Sequence, residues 1–375
     1  MIFGIIFIVL LYGGANYYIF TRVARLMQYI FPTLGKGVPA AAYFAVAAVT
    51  LLAFIPMYGR VGAAVKWFGM HWMGLFVYLL LFFLLADLFL LVARIFVSAA
   101  NTVAVLRFFA LLISLLMALG TTGYGLYNGE RLETVQYELK VEGIDGLRIV
   151  MLSDLHIGSV ASERRLVGVV EAVNALSPDL VCIAGDLFDS NISSVADPQG
   201  VADLLGSIKA SYGVYACLGN HDGGDTLKDM VALIEKSGVV LLNEDYRVID
   251  GRFVIVGRLD SSPIGGYGDM RRGDTAALMD KAGESGLPVI AMDHNPARLE
   301  EYSGKDTLIL SGHTHKGQIF PANLITKAMY TVHYGYYRAD DTSPQTVVSC
   351  GAGTWGMPMR IGSVREVVCI DLKGN

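Results

Sequence analysis

The distribution of apolar and polar residues divides the chain into two parts. Up to about residue 127, apolar residues run almost without interruption, and four stretches approach or exceed the roughly 20 residues that a helix needs to cross a bilayer core. They cover approximately 2–20, 38–57, 68–92 and 103–124. The pattern predicts a transmembrane domain of four spans over residues 1–127.

Residues 128–375 show a different pattern. From Thr134 onward, short runs rich in β-branched residues alternate with amphipathic segments of helical period, which predicts one compact, layered α/β or α+β domain. The predicted strands cover 135–141, 147–152, 180–183, 214–218, 253–256, 289–292, 307–310, 346–349 and 364–371. The predicted helices cover 163–176, 201–209, 226–236, 275–282 and 297–302.

Composition and charge narrow the class of protein. With 54% hydrophobic and 17% charged residues, the chain does not belong to the disordered class. A net charge of −5 leaves no basic excess to neutralise nucleic-acid phosphates. Residues 1–127 hold seven basic residues and one acid, a net charge of +6, whereas residues 128–375 hold 22 basic and 33 acidic residues, a net charge of −11. The two parts are therefore expected to lie in different solvents.

The basic residues between the spans predict an orientation, because Lys and Arg favour the cytoplasmic side. The first and third connections hold Arg22, Arg25, Lys36, Arg94 and Arg107, whereas the second holds only Arg60 and Lys66, and Arg131 and Lys140 follow the fourth span. This excess predicts that the N-terminus and the C-terminal domain lie outside the cytoplasm. The first stretch carries no signal-peptide pattern, so it is expected to persist as an anchor.

Asp87 is the only acid in the membrane part and admits two interpretations. In one interpretation, Asp87 marks a proton relay or a ligand site, because an ionisable group within a bilayer is costly. In the other interpretation it pairs with Arg94, two helical turns away, or with water at the interface.

The four cysteines, Cys182, Cys217, Cys350 and Cys369, show no CxxC or metal-type spacing. They fall in or beside predicted strands. We expect small buried core residues rather than a disulfide framework.

Metal-type ligands follow five predicted strands. These tips read Ser153-Asp154-Leu155-His156, Ala184-Gly185-Asp186-Leu187-Phe188-Asp189, Gly219-Asn220-His221-Asp222, Asp293-His294-Asn295-Pro296 and Ser311-Gly312-His313-Thr314-His315. Five of the seven histidines lie in them. Because open α/β sheets bind ligands at the carboxyl ends of their strands, we expect one shared site.

Imidazole and carboxylate groups without thiolates suit Mn, Fe, Zn or similar divalent ions rather than a structural Cys-type zinc site. The candidates exceed the ligands that one ion needs. Two ions that share a bridging carboxylate are the economical interpretation.

The motifs Asp-x-His, Gly-Asp-x-x-Asp, Gly-Asn-His-Asp, a lone His and Gly-His-x-His, in that order, resemble the calcineurin-like metallophosphoesterase superfamily. The resemblance covers roughly residues 147–371. It implies a four-layer α/β/β/α sandwich behind the four-helix membrane domain. The tail resembles the membrane-associated and exported bacterial branch through Gly317-Gln318, Gly335-Tyr336-Tyr337-Arg338, Gly351-Ala352-Gly353-Thr354 and Pro358-Met359-Arg360.

The resemblance also implies a role for each motif residue. Asp154, His156 and His315 would hold a first metal ion, and Asp186 would bridge both ions. Asn220, His294 and His313 would hold the second. His221 matches the catalytic histidine of the family, and Asp222 matches the acid that orients it.

Elementary chemistry supports such an arrangement. Two divalent ions a few ångströms apart lower the pKa of a water molecule and clamp the phosphoryl oxygens. His221 adjoins Asn220 without being needed as a ligand, so it can supply a proton to the leaving oxygen while Asp222 holds its ring.

These observations predict a membrane-anchored, dinuclear-metal hydrolase of phosphate mono- or diesters, with a lipid-linked substrate as one option. A UDP-diacylglucosamine-type pyrophosphohydrolase is the alternative among enzymes and requires a cytoplasmic catalytic domain. A sensor or scaffold without turnover is the non-enzymatic alternative. A transporter is disfavoured, because the spans contain only one acid.

Several residues keep two interpretations. Asp189 is either a carboxylate behind a metal ligand or a loop cap. Arg338 and Arg360 are candidates for contact with a substrate phosphate, since a guanidinium fork matches phosphate oxygens. The segment after the last metal motif is rich in aromatic residues and methionine. It either packs beneath a loop, forms an apolar wall over the metals or dips into lipid headgroups. Its residues are Tyr330, Tyr334, Tyr336, Tyr337, Trp355, Met357 and Met359.

Overall fold

A computed structural model describes residues 2–55, 57, 59–97, 99–189, 191–304 and 306–374 of the chain. The chain divides into two compact units, Met1–Leu126 and Tyr127–Asn375. The first unit is helical, and the second combines helices with two β-sheets.

The helices of the first unit follow the four apolar stretches. They are α1 (Ile2–Ile30), α2 (Gly37–Leu52), α3 (Gly59–Phe96) and α4 (Ala100–Glu130). Among the described residues, three segments are long and apolar enough to cross a bilayer, Ile6–Ile30, Val61–Phe96 and Ala100–Glu130, whereas Gly37–Leu52 is shorter. These segments indicate membrane association. The fourth span stays a prediction, because the 16 residues of α2 rise only about 24 Å as a helix.

Asp87 takes a different partner from the predicted Arg94. Its carboxylate accepts hydrogen bonds from the Arg22 guanidinium, at 2.5 Å from Nη2, and from the Tyr18 hydroxyl at 2.7 Å. Arg94 lies two turns along the same helix, about 10 Å away in rise, whereas α1 packs directly against α3. An interhelical ion pair therefore neutralises the acid.

Two sheets form the centre of the second unit. In the part of the chain that the structure describes, the first has the order β1-β12-β2-β3-β4-β5 and the second the order β10-β11-β9-β8-β7-β6. The strands are β1 (Leu132–Leu139), β2 (Leu147–Leu152), β3 (Leu180–Ala184), β4 (Val214–Cys217), β5 (Val240–Leu241), β6 (Asp245–Ile249), β7 (Phe253–Gly257), β8 (Val289–Met292), β9 (Thr307–Ser311), β10 (Gly335–Tyr337), β11 (Gln345–Val348) and β12 (Arg365–Leu372).

Burial shows four layers. Ile149 and Met151 of β2 pack in one core with Ile290 and Leu310 of the second sheet, so the two sheets face each other. Helices α5 (Ser162–Ala175), α6 (Pro198–Gly206) and α7 (Leu227–Lys236) cover the outer face of the first sheet. Helix α8 (Thr275–Gly283) covers the outer face of the second. The predicted α/β/β/α sandwich is confirmed.

Each predicted strand of this unit is present, with ends shifted by up to three residues. The predicted helix over 297–302 is instead a 3-10 helix, Pro296–Glu301. Pattern reasoning missed β5, β6 and β10, which are short or lie at sheet edges, and helix α9 (Ala322–Met329). In the described residues all four cysteines are free and buried, as predicted.

Candidate metal centre

The carboxyl ends of five strands bring the predicted ligands together. Strands β2, β3 and β4 are mutually parallel in the first sheet, and β8 is parallel to β9 in the second. The residues that follow them are Asp154 and His156 after β2, Asp186 after β3, Asn220 after β4, His294 after β8, and His313 and His315 after β9. The ligand atoms of these strand tips form several compact groups.

One group consists of Asp154, His156 and His315, whose ligand atoms lie within 4.8 Å of one another. The Nε2 atoms of His156 and His315 are 3.1 Å apart, and Asp154 Oδ1 is 3.3 Å from His315 Nε2. Two nitrogens that bind one ion at about 2.1 Å are separated by about 3.0–3.4 Å. The group therefore has the dimensions of a coordination site.

Asp186 links this group to a second one. Its Oδ2 atom is 3.7 Å from His156 Nε2 and 3.2 Å from His294 Nε2. The second group consists of Asn220, His294 and His313. In it, His313 Nδ1 lies 2.8 Å from Asn220 Oδ1. A carboxylate between two sets of ligands has the position that a bridge requires.

The hydrogen bonds of His294 fix its tautomer. Nδ1 lies 2.8 Å from the carbonyl oxygen of Ala184 and donates to it, which leaves the Nε2 lone pair for a metal ion. Gly185, with a φ of 79°, permits this approach, because a Cβ there would lie 2.6 Å from His294 Nδ1. A strand-end glycine thus allows the imidazole to reach the group.

An unpartnered nitrogen provides a test of the fit to metal. His294 Nε2, a candidate ligand atom, is buried and has no hydrogen-bond partner among the described residues. A buried polar atom without a partner costs about 1–3 kcal/mol. A divalent cation among these imidazoles and carboxylates offsets that cost, so the residues fit metal.

The backbone of the site is strained. Five of the seven candidate ligands have positive φ angles: Asp154 51°, His156 46°, Asp186 52°, His313 69° and His315 48°. Such conformations are uncommon for residues with a Cβ and cluster at functional sites. The fold therefore holds these side chains in positions that an unconstrained loop would not choose.

Electrostatics give three of the candidate ligands the protonation state that metal binding needs. Burial opposes ionisation of Asp186, but the imidazoles of His294 and His156 outweigh it and hold the pKa of Asp186 below its usual value. Burial lowers the pKa of His313 to about 4 and that of His315 to about 3. The carboxylate is thus charged and these two imidazoles are neutral near pH 7. At His294, burial opposes protonation, but the charge of Asp186 outweighs it and raises the pKa.

His221 lies beside the group and is partly exposed. Its backbone amide donates to Asp186 Oδ1 at 2.8 Å, and its ring centroid is 5.0 Å from that of His156. Burial lowers the pKa of His221, although the charge of Asp186 raises it. The position suits a proton donor beside the candidate metal ligands.

Asp222 has contacts that the sequence did not indicate. Its carboxylate is fully buried and accepts hydrogen bonds from the amides of Gly219 at 2.9 Å, Phe188 at 2.8 Å and Leu187 at 3.2 Å. Burial, reinforced by the negative charge of Asp186, raises the pKa of Asp222 to about 7. These contacts hold together the loops that carry Asp186 and Asn220. Its role in orienting the His221 ring stays a prediction.

Two further acids adjoin the centre. Asp189 Oδ1 lies 3.7 Å from His156 Nδ1, which favours the interpretation as a carboxylate behind a ligand. Asp260 forms a compact group with His294 and His313, and it is buried. No sequence motif marks Asp260, although its position three residues after β7, a parallel neighbour of β8, places it at the same sheet edge.

The structure corrects the interpretation of Arg360. Its guanidinium is fully buried and donates to the carbonyls of Cys350 and Gly353, both at 2.7 Å, so it is not free to bind a phosphate. Arg338 donates to the carbonyls of Ser343 at 3.1 Å and Asp341 at 2.6 Å, which fixes the loop after β10. The contact of Arg338 with a substrate phosphate stays a prediction.

We expect R360L to destabilise the loop of residues 350–360 by about 2–4 kcal/mol, because buried carbonyls lose their charged donor. The rate of thiol labelling at Cys350, which is buried beside Arg360, measures this opening and should rise at least about tenfold. R338L is the matched control, and its expected effect is below about 1 kcal/mol. Equal labelling rates in both variants would refute the structural role of Arg360.

Comparisons with known proteins agree with this geometry. Residues 147–317 match the model of the calcineurin-like phosphoesterase family. An uncharacterized metallophosphoesterase of Helicobacter pylori is 30% identical over 264 residues, which are 68% of this chain and 68% of that protein. The chain belongs to the calcineurin-like metallophosphoesterase family. The family and the clustered side chains together indicate binding of divalent metal.

Other relatives of this metallophosphoesterase extend the comparison. A Danio rerio protein described as a transmembrane protein with metallophosphoesterase domain is 31% identical over 297 residues, covering 74% of this chain and 65% of that protein. An uncharacterized metallophosphoesterase of Bacillus subtilis is 30% identical over 282 residues, covering 72% of this chain and 95% of that protein. The matches span about two thirds of the Helicobacter and Danio proteins.

Proposed function

We propose that this chain is a membrane-anchored phosphoesterase that hydrolyses a phosphate mono- or diester at a centre of two divalent metal ions. The observation that carries the proposal is the cluster of candidate ligands in which Asp186 Oδ2 lies 3.7 Å from His156 Nε2 and 3.2 Å from His294 Nε2, beside the partly exposed His221. A retired enzyme has no need to keep a complete ligand set together with a separate imidazole. Turnover is therefore favoured over a sensor or scaffold.

The ligands divide between two positions. Asp154, His156 and His315 would hold one ion, and Asp186 would contact both. The second ion would be held by Asn220, His294 and His313. When bound, two such ions lower the pKa of water and neutralise charge on the phosphoryl oxygens. Mn, Fe and Zn all suit this mixture of imidazole and carboxylate ligands.

His221 would act on the leaving group. Its amide is tied to Asp186 Oδ1 at 2.8 Å, so the ring has a fixed position relative to the bridging carboxylate. A proton or hydrogen bond from the ring stabilises the charge that develops on the leaving oxygen. Asp222 accepts hydrogen bonds from the amides of Gly219 and Phe188, which lie in the loops that carry His221 and Asp186. These bonds keep the distance between His221 and Asp186 constant.

The charges between the helices support an extracytoplasmic catalytic unit. A nucleotide-linked lipid made in the cytoplasm would then be out of reach, whereas a phosphoester at the outer membrane surface would not. A reporter fused at residue 375 tests the sidedness. A cytoplasmic result would favour the UDP-diacylglucosamine-type reaction.

Turnover by the purified full-length chain tests the proposal directly. Metal-stripped protein in detergent should gain at least about 100-fold in hydrolysis of an aryl phosphodiester or monoester when Mn²⁺ is restored. Zn²⁺ and Fe²⁺ serve as alternative ions in the same assay. Stoichiometric metal binding without hydrolysis of either ester would instead support a sensor or scaffold.

A further inference from the structure

We propose that helix α9 and its surroundings form a membrane-docking surface that holds the metal centre at the headgroup layer of a bilayer. This docking surface consists of Phe320, Leu324, Ile325, Met329 and Trp355. Docking is independent of catalysis. The substrate class that follows from it, a phosphoester with an apolar tail, rests on the proposed function.

Helix α9 presents its apolar side to the outside. Leu324, Ile325 and Met329 lie on one face, at spacings of one and four residues, and are 57%, 60% and 68% exposed. The polar residues Asn323 and Thr326 on the other side are less exposed. A surface helix of a soluble domain normally has the opposite arrangement. This inversion is typical of a helix that lies in a membrane interface.

The charge around α9 is complementary to anionic lipid. From residue 316 to residue 337 the chain contains Lys316 and Lys327 and no Asp or Glu, although residues 128–375 carry a net charge of −11. Basic residues beside an apolar helix face strengthen binding to anionic headgroups. A symmetric contact with a second copy is less suitable, because it would bring the basic residues of two α9 surfaces together.

The docking surface is continuous with the rim of the metal centre. Residue 317 follows the candidate ligand His315, and a Cβ at Gly317 would lie 2.3 Å from the Asn323 nitrogen, so α9 packs directly on the ligand turn. At the other end of α9, the Tyr330 ring lies 6.1 Å from that of His313. An ester whose tail enters lipid beside α9 therefore has its phosphate near the centre.

Trp355 extends the apolar surface to the candidate proton donor. Its ring is 51% exposed and lies 5.9 Å from that of His221. The Gln318 side chain accepts from the Trp355 amide at 2.8 Å and donates to its carbonyl at 2.8 Å. This pairing joins the loop of Trp355 to the segment that leads into α9.

The connection to the membrane helices supports a lipid partner over a soluble one. Only Arg131 separates the end of α4 at Glu130 from the start of β1 at Leu132. The chain thus passes from a helix of membrane-spanning length into the phosphoesterase unit within one residue. A weak contact between α9 and lipid is then sufficient for docking, because the membrane helices keep the unit at a high effective concentration near the bilayer.

Spin labels on the full-length chain test the docking. All four native cysteines are buried, so I325C and V248C can be labelled in nanodiscs of phosphatidylcholine and phosphatidylglycerol. Val248 is a matched exposed apolar residue, 48% accessible on β6, at the opposite edge of the second sheet from β10. We expect a nitroxide at position 325 to be accessible to oxygen and protected from a water-soluble nickel complex, and one at 248 to show the reverse.

Equal accessibility of the two labels to the nickel complex would overturn the docking. Dipolar broadening at position 325 that disappears on dilution with unlabelled chain would identify a second copy as the occupant and would also overturn it.

The substrate class needs a second experiment. The ratio of turnover of a long-chain phosphodiester in bilayers to that of a soluble aryl phosphodiester should fall at least about tenfold in L324E/I325E, and not in V248E. An unchanged ratio would overturn the substrate class. Absence of all turnover in the unsubstituted chain would refute the phosphoesterase function and leave the spin-label result standing.

Discussion

Replacing His221 with alanine should lower turnover by about 10²–10⁴-fold while the metal content stays the same. The imidazole lies beside Asp186 and belongs to neither predicted ligand set, so under the proposed roles its loss removes a proton donor and not a ligand. Its amide remains in place to donate to Asp186 Oδ1. Steady-state hydrolysis and metal analysis on the same preparation measure the two effects.

The control for this prediction is H333A. His333 lies in the segment after α9, and its backbone carbonyl, which the substitution retains, accepts from the Thr314 hydroxyl. Activity should therefore be nearly unchanged. If H221A lost metal together with activity, His221 would be a ligand, and the assigned division of roles would be wrong.

Asp186→Asn should remove both metal and activity. The substitution keeps the shape of the side chain but removes its negative charge and one of its two ligand oxygens, and Asp186 Oδ2 lies within 4 Å of the imidazoles of His156 and His294. We expect metal content to fall below one ion per chain and turnover to fall by at least about 10³-fold. Elemental analysis after gel filtration, with parallel hydrolysis assays, checks both values.

Asp274→Asn provides the matched carboxylate control. Asp274 caps helix α8 by accepting from the Ala277 amide at 2.8 Å, and asparagine caps equally well. Its metal content and activity should equal those of the unsubstituted chain. Two ions and normal turnover in D186N would contradict the bridging role.

The strand tips could be predicted from sequence because two independent signals coincide there. Short buried strands are recognisable by their β-branched runs, and parallel strands bring their carboxyl ends to one edge. His156, His294 and His315 stood out at these tips, and a known family supplied the order of the motifs. Both the sandwich and the gathering of the seven side chains followed from this combination.

Other features depend on three-dimensional contacts that a linear pattern does not contain. Asp260 follows a strand whose end contains no histidine, and its proximity to His294 and His313 in three dimensions identifies it. Arg360 has the sequence signal of a surface charge, yet backbone carbonyls satisfy it in the interior. Helix α9 was not predicted because its eight residues form too few turns to show a helical repeat in the sequence.

The central claim is that seven side chains from five strand tips hold two metal ions in contact with one carboxylate. Electron paramagnetic resonance of the manganese-loaded full-length chain tests this claim most directly. We predict two Mn²⁺ ions per chain with the spectrum of a spin-coupled pair, which D186N abolishes. A single ion with the uncoupled spectrum of isolated Mn²⁺, unchanged in D186N, would contradict it.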